Sequence, residues 1–427
     1  MLKLVVLMAL RTTTVWTSLV AIAAVLWLLL PAAPRALAPD DDVRGLWVLR
    51  SSLSSEKNVR QMVDTAKRAG FNTLLVQVRG RGDAYYSSRI EPRATELEDD
   101  PTNFDPLALT LQLAHERGLR VHAWFNVDLV ASATLLPRSR THIVARHPEW
   151  LMVPRAIAGK LAVTPPDLPA YVGEIARWSR AQSDRVEGIY LSPVTAASRQ
   201  YTTSVAADLA SHYELDGLHL DYIRYPSDQF DYSATSLADF RAETAPFLAA
   251  GERQRLDRLA AASATAWADA LPDEWSRFRR NRLTSLLTSI RTATRAARPG
   301  LMISAAVIPD ADDARTGRLQ DWREWARAGI LDTLCPMIYT TDADQFRVAV
   351  DRVKADAGPA AVWAGIGAYR LTPARTAENL RTVRRAGVAG ALLYSYDSLT
   401  ASDAPANYFA LIRSALIENA PSASRSR

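Results

Sequence analysis

Cysteine is almost absent from this chain: Cys335 is the only one in 427 residues. That excludes an intramolecular disulfide and a cysteine-built zinc site. Histidine is scarce too, with 6 in all, so a histidine-rich metal centre has few ligands to draw on. No Gly-x-Ser-x-Gly elbow is present to carry an acyl-hydrolase serine. No glycine-rich phosphate loop follows a strand, and Gly365-Ile-Gly367 is too short a match. Excess charge is small as well. The formal net charge is +5, and Lys3, Arg11 and Arg35 supply three of those charges within the first 38 residues, which hold no acid. The remainder is nearly balanced, which argues against nucleic acid as a partner.

What is present is a large apolar complement. The chain is 48% hydrophobic and has 11 Trp, which excludes a disordered or low-complexity protein. Its length suits one large domain or two to three ordinary ones, with ample material for a core.

Lys3 and Arg11 precede an apolar run over residues 15–31, broken only by Thr17 and Ser18, and Ala36-Leu37-Ala38 offers small residues for a signal peptidase. Residues 1–38 therefore read as a secretory leader. Pro39 disfavours the cut and the run approaches the length of a bilayer span, so an uncleaved membrane anchor is the alternative. Either reading places the main domain outside the cytoplasm, secreted or periplasmic. Residues 39–42 form an acidic linker, 43–417 the folded part, and 418–427 a Ser- and Arg-rich tail expected to be disordered.

Eight β-branched runs follow one another, at 44–50, 73–79, 120–127, 217–224, 301–309, 332–340, 360–369 and 389–397. Helical patterns lie between them, and those at 56–69, 107–117, 322–328 and 376–386 each stop at a glycine. Eight strands alternating with helices predict an α/β fold, a (β/α)8 TIM-type barrel. A doubly wound open sheet is the alternative. The intervals 128–216 and 226–300 exceed simple connections. The first, with its extra apolar run at 188–191, reads as an elaborated loop over the barrel mouth plus the third helix. The second is a helical insertion whose stretch 275–297 either packs outside the barrel or covers its mouth.

Side chains alternate faces along a strand. Val76 and Val78 oppose Gln77 and Arg79; Val121, Ala123 and Phe125 oppose His122, Trp124 and Asn126; Leu218 and Leu220 oppose His219 and Asp221. With the apolar sets against helices, the polar sets point inward, and Arg79, Asn126 and Asp221 fall nearest the C-terminal mouth, where barrels carry chemistry. The same pattern would also serve satisfied interior hydrogen bonds. Asp221, in the run Asp216-Gly-Leu-His-Leu-Asp-Tyr-Ile-Arg-Tyr-Pro226, is an acid inside an apolar strand. Arg224 is close enough in sequence to keep it ionised. It reads as a nucleophile or general base, or as half of a buried ion pair.

Arg44-Gly-Leu-Trp47, Gln77-Val-Arg-Gly-Arg-Gly-Asp-Ala84, His122-Ala-Trp-Phe-Asn126, the 216–226 motif, Gln320-Asp-Trp-Arg-Glu-Trp325 and Cys335-Pro-Met-Ile-Tyr339 occur in order. Across residues 43–400 the sequence resembles the glycosyl-hydrolase-like family 10, the former domain of unknown function 187. The resemblance implies a (β/α)8 barrel acting on glycans, in some members bacterial cell-wall glycan. Many members carry two consecutive acids where this chain has Asp221-Tyr222.

Glycosidic hydrolysis usually needs two carboxyl groups. Asp221 is the first. For the second, the candidates in order are Asp321, Asp310, Asp397 and Asp83. Asp321 would equally start a helix, Asp310 sits beside Asp312 and Asp313 in a run that reads as solvated loop, and Asp83 would pair with Arg79 or Arg81. Sugar rings also stack on aromatic faces. Trp124, Tyr339, Tyr369 and Tyr396 are candidate platforms, each also a plausible core residue. Asn126 and His219 would bind hydroxyls, and Arg79, Arg81 and Arg224 would read an acidic sugar or lactyl carboxylate. His219 and Asp221 supply at most two metal ligands, so no cofactor or metal is expected. The reading is an exported glycosidase with a polysaccharide substrate. The alternatives are a non-catalytic glycan-binding barrel and, with further ligands near His219 and Asp221, a metal-dependent hydrolase or deacetylase.

Overall fold

A computed structural model describes residues 42–97 and 103–418. The expected leader 1–38 lies outside the described residues, as does the linker except Asp42 and the tail except Glu418. Glu418 pairs with Arg381.

Eight parallel strands close into a barrel. They are β1 (Val43–Val48), β2 (Thr73–Arg79), β3 (Arg120–Asn126), β4 (Gly217–Asp221), β5 (Met302–Val307), β6 (Thr333–Ile338), β7 (Ala361–Ile366) and β8 (Gly390–Leu393). β1 pairs with β2 on one side and β8 on the other, which closes the sheet and leaves no edge. One principal outer helix follows each strand: α1 (Glu56–Ala69), α2 (Pro106–Glu116), α3 (Ala196–His212), α4 (Pro272–Ala297), α5 (Trp322–Arg327), α6 (Ala343–Asp356), α7 (Pro373–Ala386) and α8 (Tyr408–Ile417). Their starts are capped locally: Ser55, Asp105, Thr195, Asp342 and Thr372 accept first-turn backbone N–H groups. Gly70 at φ 99° and Gly387 at φ 63° end α1 and α7 in the left-handed region, as their positions in the sequence predict.

The apolar faces fall where alternation places them. Val76, Val121, Ala123, Leu218, Leu220, Ile303 and Leu334 belong to the core between strands and helices. Trp47, Trp124, His219 and Trp363 are also buried but fill the barrel interior. Gly217, at the start of β4, is required by this packing, because a Cβ there would lie 2.1 Å from the His122 ring.

The two long connections build one structure. Within the β3–α3 connection, Leu129–Ala131 and Ile189–Tyr190 form an antiparallel ribbon. The run at 188–191 is thus an accessory strand of this loop. The β4–α4 connection adds helices Ala234–Thr244, Ala250–Ala260 and Ala266–Ala270. Residues of both, among them Leu151, Tyr171, Ile175, Phe240, Leu256 and Trp267, share a second apolar core with Trp275 and Phe278 of α4. Further along the same helix, Leu283, Leu286 and Ile290 pack into the barrel core. Helix α4 therefore packs on the outside of the barrel and also carries the insertion. Among the described residues no helix is long and apolar enough to cross a membrane.

Candidate active site

A cavity of about 710 Å³ opens at the C-terminal ends of the strands. Asp221 is the last residue of β4, in register with Asn126 of β3, while Trp124 pairs with His219 two residues earlier. These neighbours place Asp221 at the cavity wall with Trp124 and Asn126 beside it. The Trp124 indole N–H donates to Asn126 Oδ1 at 2.9 Å, and Asn126 Nδ2 donates to the Gly80 carbonyl at 2.8 Å. This chain fixes the ring and amide before any ligand arrives.

Asp221 is 6% exposed. Its Oδ1 accepts the Tyr222 N–H at 2.6 Å and faces Arg224 Nη1 at 3.2 Å. Oδ2 has no hydrogen-bond partner among the described residues. Burial pushes this carboxyl above the ordinary aspartate range, against the Arg224 charge and the Tyr222 N–H. Arg224 lies over the Tyr222 ring at 4.2 Å, and its Nη2 approaches Glu187 Oε1 at 3.4 Å. Burial acts to raise Glu187, but the Arg224 charge and the Tyr190 hydroxyl hold it below the ordinary glutamate range. Glu187 thus stays ionised and steadies Arg224 from behind. Tyr222 has φ 51°, a strained conformation for a bulky residue that Asp or Asn adopts more readily. β4 therefore ends one residue earlier at this kink, three residues short of the sequence expectation.

Tyr339, Tyr369 and Tyr394 form an aromatic wall, with centroids 5.5 Å apart for Tyr339–Tyr394 and 5.8 Å for Tyr369–Tyr394. Tyr394 also meets Trp47 at 6.0 Å and Trp124 at 6.3 Å. The wall offers ring faces and hydroxyls beside a carboxyl, which suits a pyranose.

Of the residues expected at the site, the structure gathers Asp221, Arg81, Trp124, Asn126, Arg224, Tyr339 and Tyr369 around this cavity. The others go elsewhere. A bulge in β2 pairs Gln77 with Trp124 but Arg79 with Phe125, so Arg79 leaves the inward face that alternation assigned to it. It lies over the Phe125 ring at 4.6 Å and forms a fully buried ion pair with Glu91 at 2.7 Å. His219 sits below the cavity. Its Nε2 accepts the Trp47 indole N–H at 3.1 Å, so the ring proton is on Nδ1, which donates to Ser304 Oγ at 2.9 Å. Burial pushes His219 down to about 3, and it acts as a neutral spacer that orients Trp47.

The expected second carboxylates are spent on structure. Asp310 caps the helix Ala311–Gly317 and pairs with Arg352. The N–H of Asp313 and that of Asp312 hold its carboxyl below the ordinary range. Asp321 pairs with Arg315 at 3.1 Å, and neither acid lines the cavity. Asp397 accepts the Leu49 N–H and the Ser51 and Ser52 hydroxyls. Asp83 pairs with Arg50 and accepts the Arg81 N–H. Tyr396 turns outward to stack on Phe409, because β8 ends at Leu393 and a short helix begins at Tyr396. Tyr394 takes the cavity position instead.

The sequence analysis assigned no site role to Glu96, Arg50, Trp47, Gln77 or Tyr394, all of which line the cavity. Trp47 and Gln77 lie on predicted strands with inward parity, a signal that was there to read. Glu96 lies on a loop and gave none. Among the described residues Glu96 and Asp221 are the carboxylates on the lining. No group of three or more His, Cys, Asp or Glu among the described residues is placed to hold a metal ion.

A family model described as glycosyl hydrolase-like 10 matches residues 42–375. The chain is 22% identical over 316 residues to glycosyl hydrolase YngK of Bacillus subtilis (strain 168), covering 69% of this chain and 51% of that protein. It is 28% identical over 296 residues to glycosyl hydrolase DigH of Escherichia coli (strain K12), covering 65% and 56%. It thus spans about half the length of these relatives. Among solved structures, the PgaB (BpsB) glycoside hydrolase domain of Bordetella bronchiseptica superposes with TM-score 0.60 at 14% identity, covering 88% of this chain and 99% of that one. Alpha-L-fucosidase isoenzyme 2 of Paenibacillus thiaminolyticus gives 0.54 at 16% identity, covering 88% and 49%. At these identities the structures speak to the fold.

Proposed function

The chain belongs to the glycosyl hydrolase-like 10 family, and from that premise we propose that it is an exported glycoside hydrolase that cleaves a bacterial cell-wall or related polysaccharide. The observation that carries the proposal is Asp221: a carboxyl raised by burial, with one oxygen anchored and the other without a protein partner, beside aromatic faces in a barrel-mouth cavity. A carboxyl raised by burial suits a general acid. Asp221 protonates the leaving glycosidic oxygen through Oδ2 as the C–O bond breaks. Glu96 is the second carboxylate of this scheme, activating water or attacking the anomeric carbon. Residues 1–38 support export by their leader-like pattern.

A second reading, a glycan-binding barrel without turnover, draws on one observation: Tyr222 occupies the position where many members carry a second acid, and neither Asp321 nor Asp310 replaces it at the cavity. Glycan strands stripped of stem peptides separate the two. The hydrolase releases soluble fragments, and Glu96→Gln lowers release by at least about a hundredfold. Retention of protein on the strands with no fragments released would establish the binding reading.

A further inference from the structure

The ladder between β4 and β5 ends with the pair Leu220 and Ala305. Asp221 and Ala306, the next residue on each strand, line the cavity. From there a side chain carries the seam. Gln320, the first residue of the 320–325 motif, is fully buried. Its Nε2 donates to the Ala306 carbonyl at 3.1 Å and to the Ile223 carbonyl at 3.3 Å. Its Oε1 accepts the Ile308 N–H at 2.9 Å. Both amide hydrogens and the amide oxygen are thus spent on backbone, as a further strand would spend its own groups.

Ile223 lies between the kink at Tyr222 and Arg224, so its carbonyl governs how the chain leaves Asp221. The kink is held from two sides. On the β3 side, the Val127 N–H donates to the Asp221 carbonyl at 2.8 Å and the Asp128 N–H to the Tyr222 carbonyl at 3.2 Å. On the β5 side, Gln320 holds the Ile223 carbonyl. Its neighbour extends the hold, because the Arg318 carbonyl accepts the Tyr225 N–H at 3.0 Å and the Arg318 guanidinium donates to the Pro226 carbonyl. Gln320 is itself fixed. Its N–H donates to the Ala314 carbonyl at 2.8 Å, and Leu319 before it takes φ 55°, a conformation that persists only where its surroundings enforce it.

We propose that Gln320 is a positioning residue that acts through Asp221: its amide fixes the end of β4 so that the Asp221 carboxyl meets the leaving oxygen. The proposal rests on the glycoside hydrolase reading and adds a residue to its machinery. Proton delivery depends on placement, and an error of about 1 Å costs up to about a hundredfold. Methionine at position 320 nearly conserves the volume but leaves two carbonyls and one N–H without their partner, and the end of β4 is then free to shift.

The test measures kcat and KM of the full-length protein and its Gln320→Met variant on two substrates. One is a peptide-free glycan strand, and the other is a dinitrophenyl glycoside of the same sugar, whose departure needs no proton. The expected result is a loss of about ten- to hundredfold in kcat on the strand with KM little changed, and turnover of the dinitrophenyl glycoside within about threefold of native. In the Asp221→Asn background the same substitution should lower strand cleavage no further, because both changes remove one function. Gln320→Asn, whose amide is one methylene short, should show the same split and serves if Gln320→Met does not fold. Equal loss on both substrates marks Gln320 as structural and overturns the inference, as does undiminished strand cleavage or a further loss in the Asp221→Asn background. In each of those cases the native protein still cleaves both substrates and the glycoside hydrolase reading stands. A native protein that cleaves neither removes that reading and the inference with it.

Discussion

Arg224 restrains the Asp221 carboxyl, the proposed general acid. Its charge opposes the upward push of burial on the carboxyl, so removing it raises the carboxyl further. A general acid loses activity as pH rises through its own pKa. Arg224→Gln should therefore move the alkaline limb of kcat/KM to higher pH by about one unit; an unmoved limb, or one moved down, would contradict the assignment. Arg79 illustrates the opposite use of charge. With no exposure and Glu91 as its carboxylate partner, it is structural, and Glu91→Ala should cost about 3–5 kcal/mol in denaturant unfolding by leaving a buried cation unpaired. At this scale legibility followed backbone regularity. Trp124, Asn126 and Asp221 were readable because β3 and β4 alternate without interruption up to them. Arg79 was not, because a bulge between Gln77 and Arg79 changes its face. Tyr396 and Tyr394 were exchanged because β8 stops at Leu393. Asp310 and Asp321 stand at helix starts, where backbone N–H groups and Arg352 satisfy the first and Arg315 pairs with the second, and no residue pattern distinguishes that from catalysis.

Strands and helices are joined by polar contacts as well as by apolar packing. His115, in the last turn of α2, meets Asp216 just before β4 at 2.9 Å, and the same carboxylate oxygen accepts the Val121 N–H at 2.7 Å. The hydrogen bond to Asp216 raises His115 above the ordinary histidine range against the effect of burial. Burial acts to raise Asp216, but His115 and the Val121 N–H hold it below the ordinary range. The sign follows from linkage. The His115 contribution is fully present below the ordinary histidine value of about 6.5 and disappears as pH rises through its raised folded value. Because the histidine is partly exposed, the effect is a few tenths of a kcal/mol after solvent screening. The unfolding free energy from denaturant titrations should fall by that amount between pH 6 and pH 8 in the native chain and not in His115→Gln. Element existence was the most legible layer. All eight barrel strands were expected, and β2 at its observed bounds, because β-branched runs, helical periodicity and terminal glycines agree there. The ends of β4 and β8 were overestimated because the runs continue apolar beyond the last ladder pair.

The whole molecule is a barrel with a second core built from its two longest connections, and that core bears on the site. The ribbon holding Tyr190 presses on Tyr222, with ring centroids 6.1 Å apart, and Glu187 at its approach braces Arg224. Asp231, fully buried, ties the two connections together by accepting the Val153 N–H at 2.7 Å and the Ser236 hydroxyl at 2.6 Å. Asp231→Ala orphans these donors, and about 2–4 kcal/mol of stability should be lost in denaturant unfolding; a loss below about 1 kcal/mol would show that the tie is dispensable. The barrel was legible from eight repeated strand signals, whereas the shared core was not, since its residues come from separated segments with no common period. The central claim is that Asp221 supplies the proton to the leaving group. Its most direct test compares Asp221→Asn with the native protein on a natural glycan strand and on a dinitrophenyl glycoside of the same sugar, whose leaving group needs no proton. The account predicts a loss of at least about a thousandfold in kcat on the strand with turnover of the dinitrophenyl substrate largely retained. Equal loss on both substrates, or undiminished release from the strand, would contradict it.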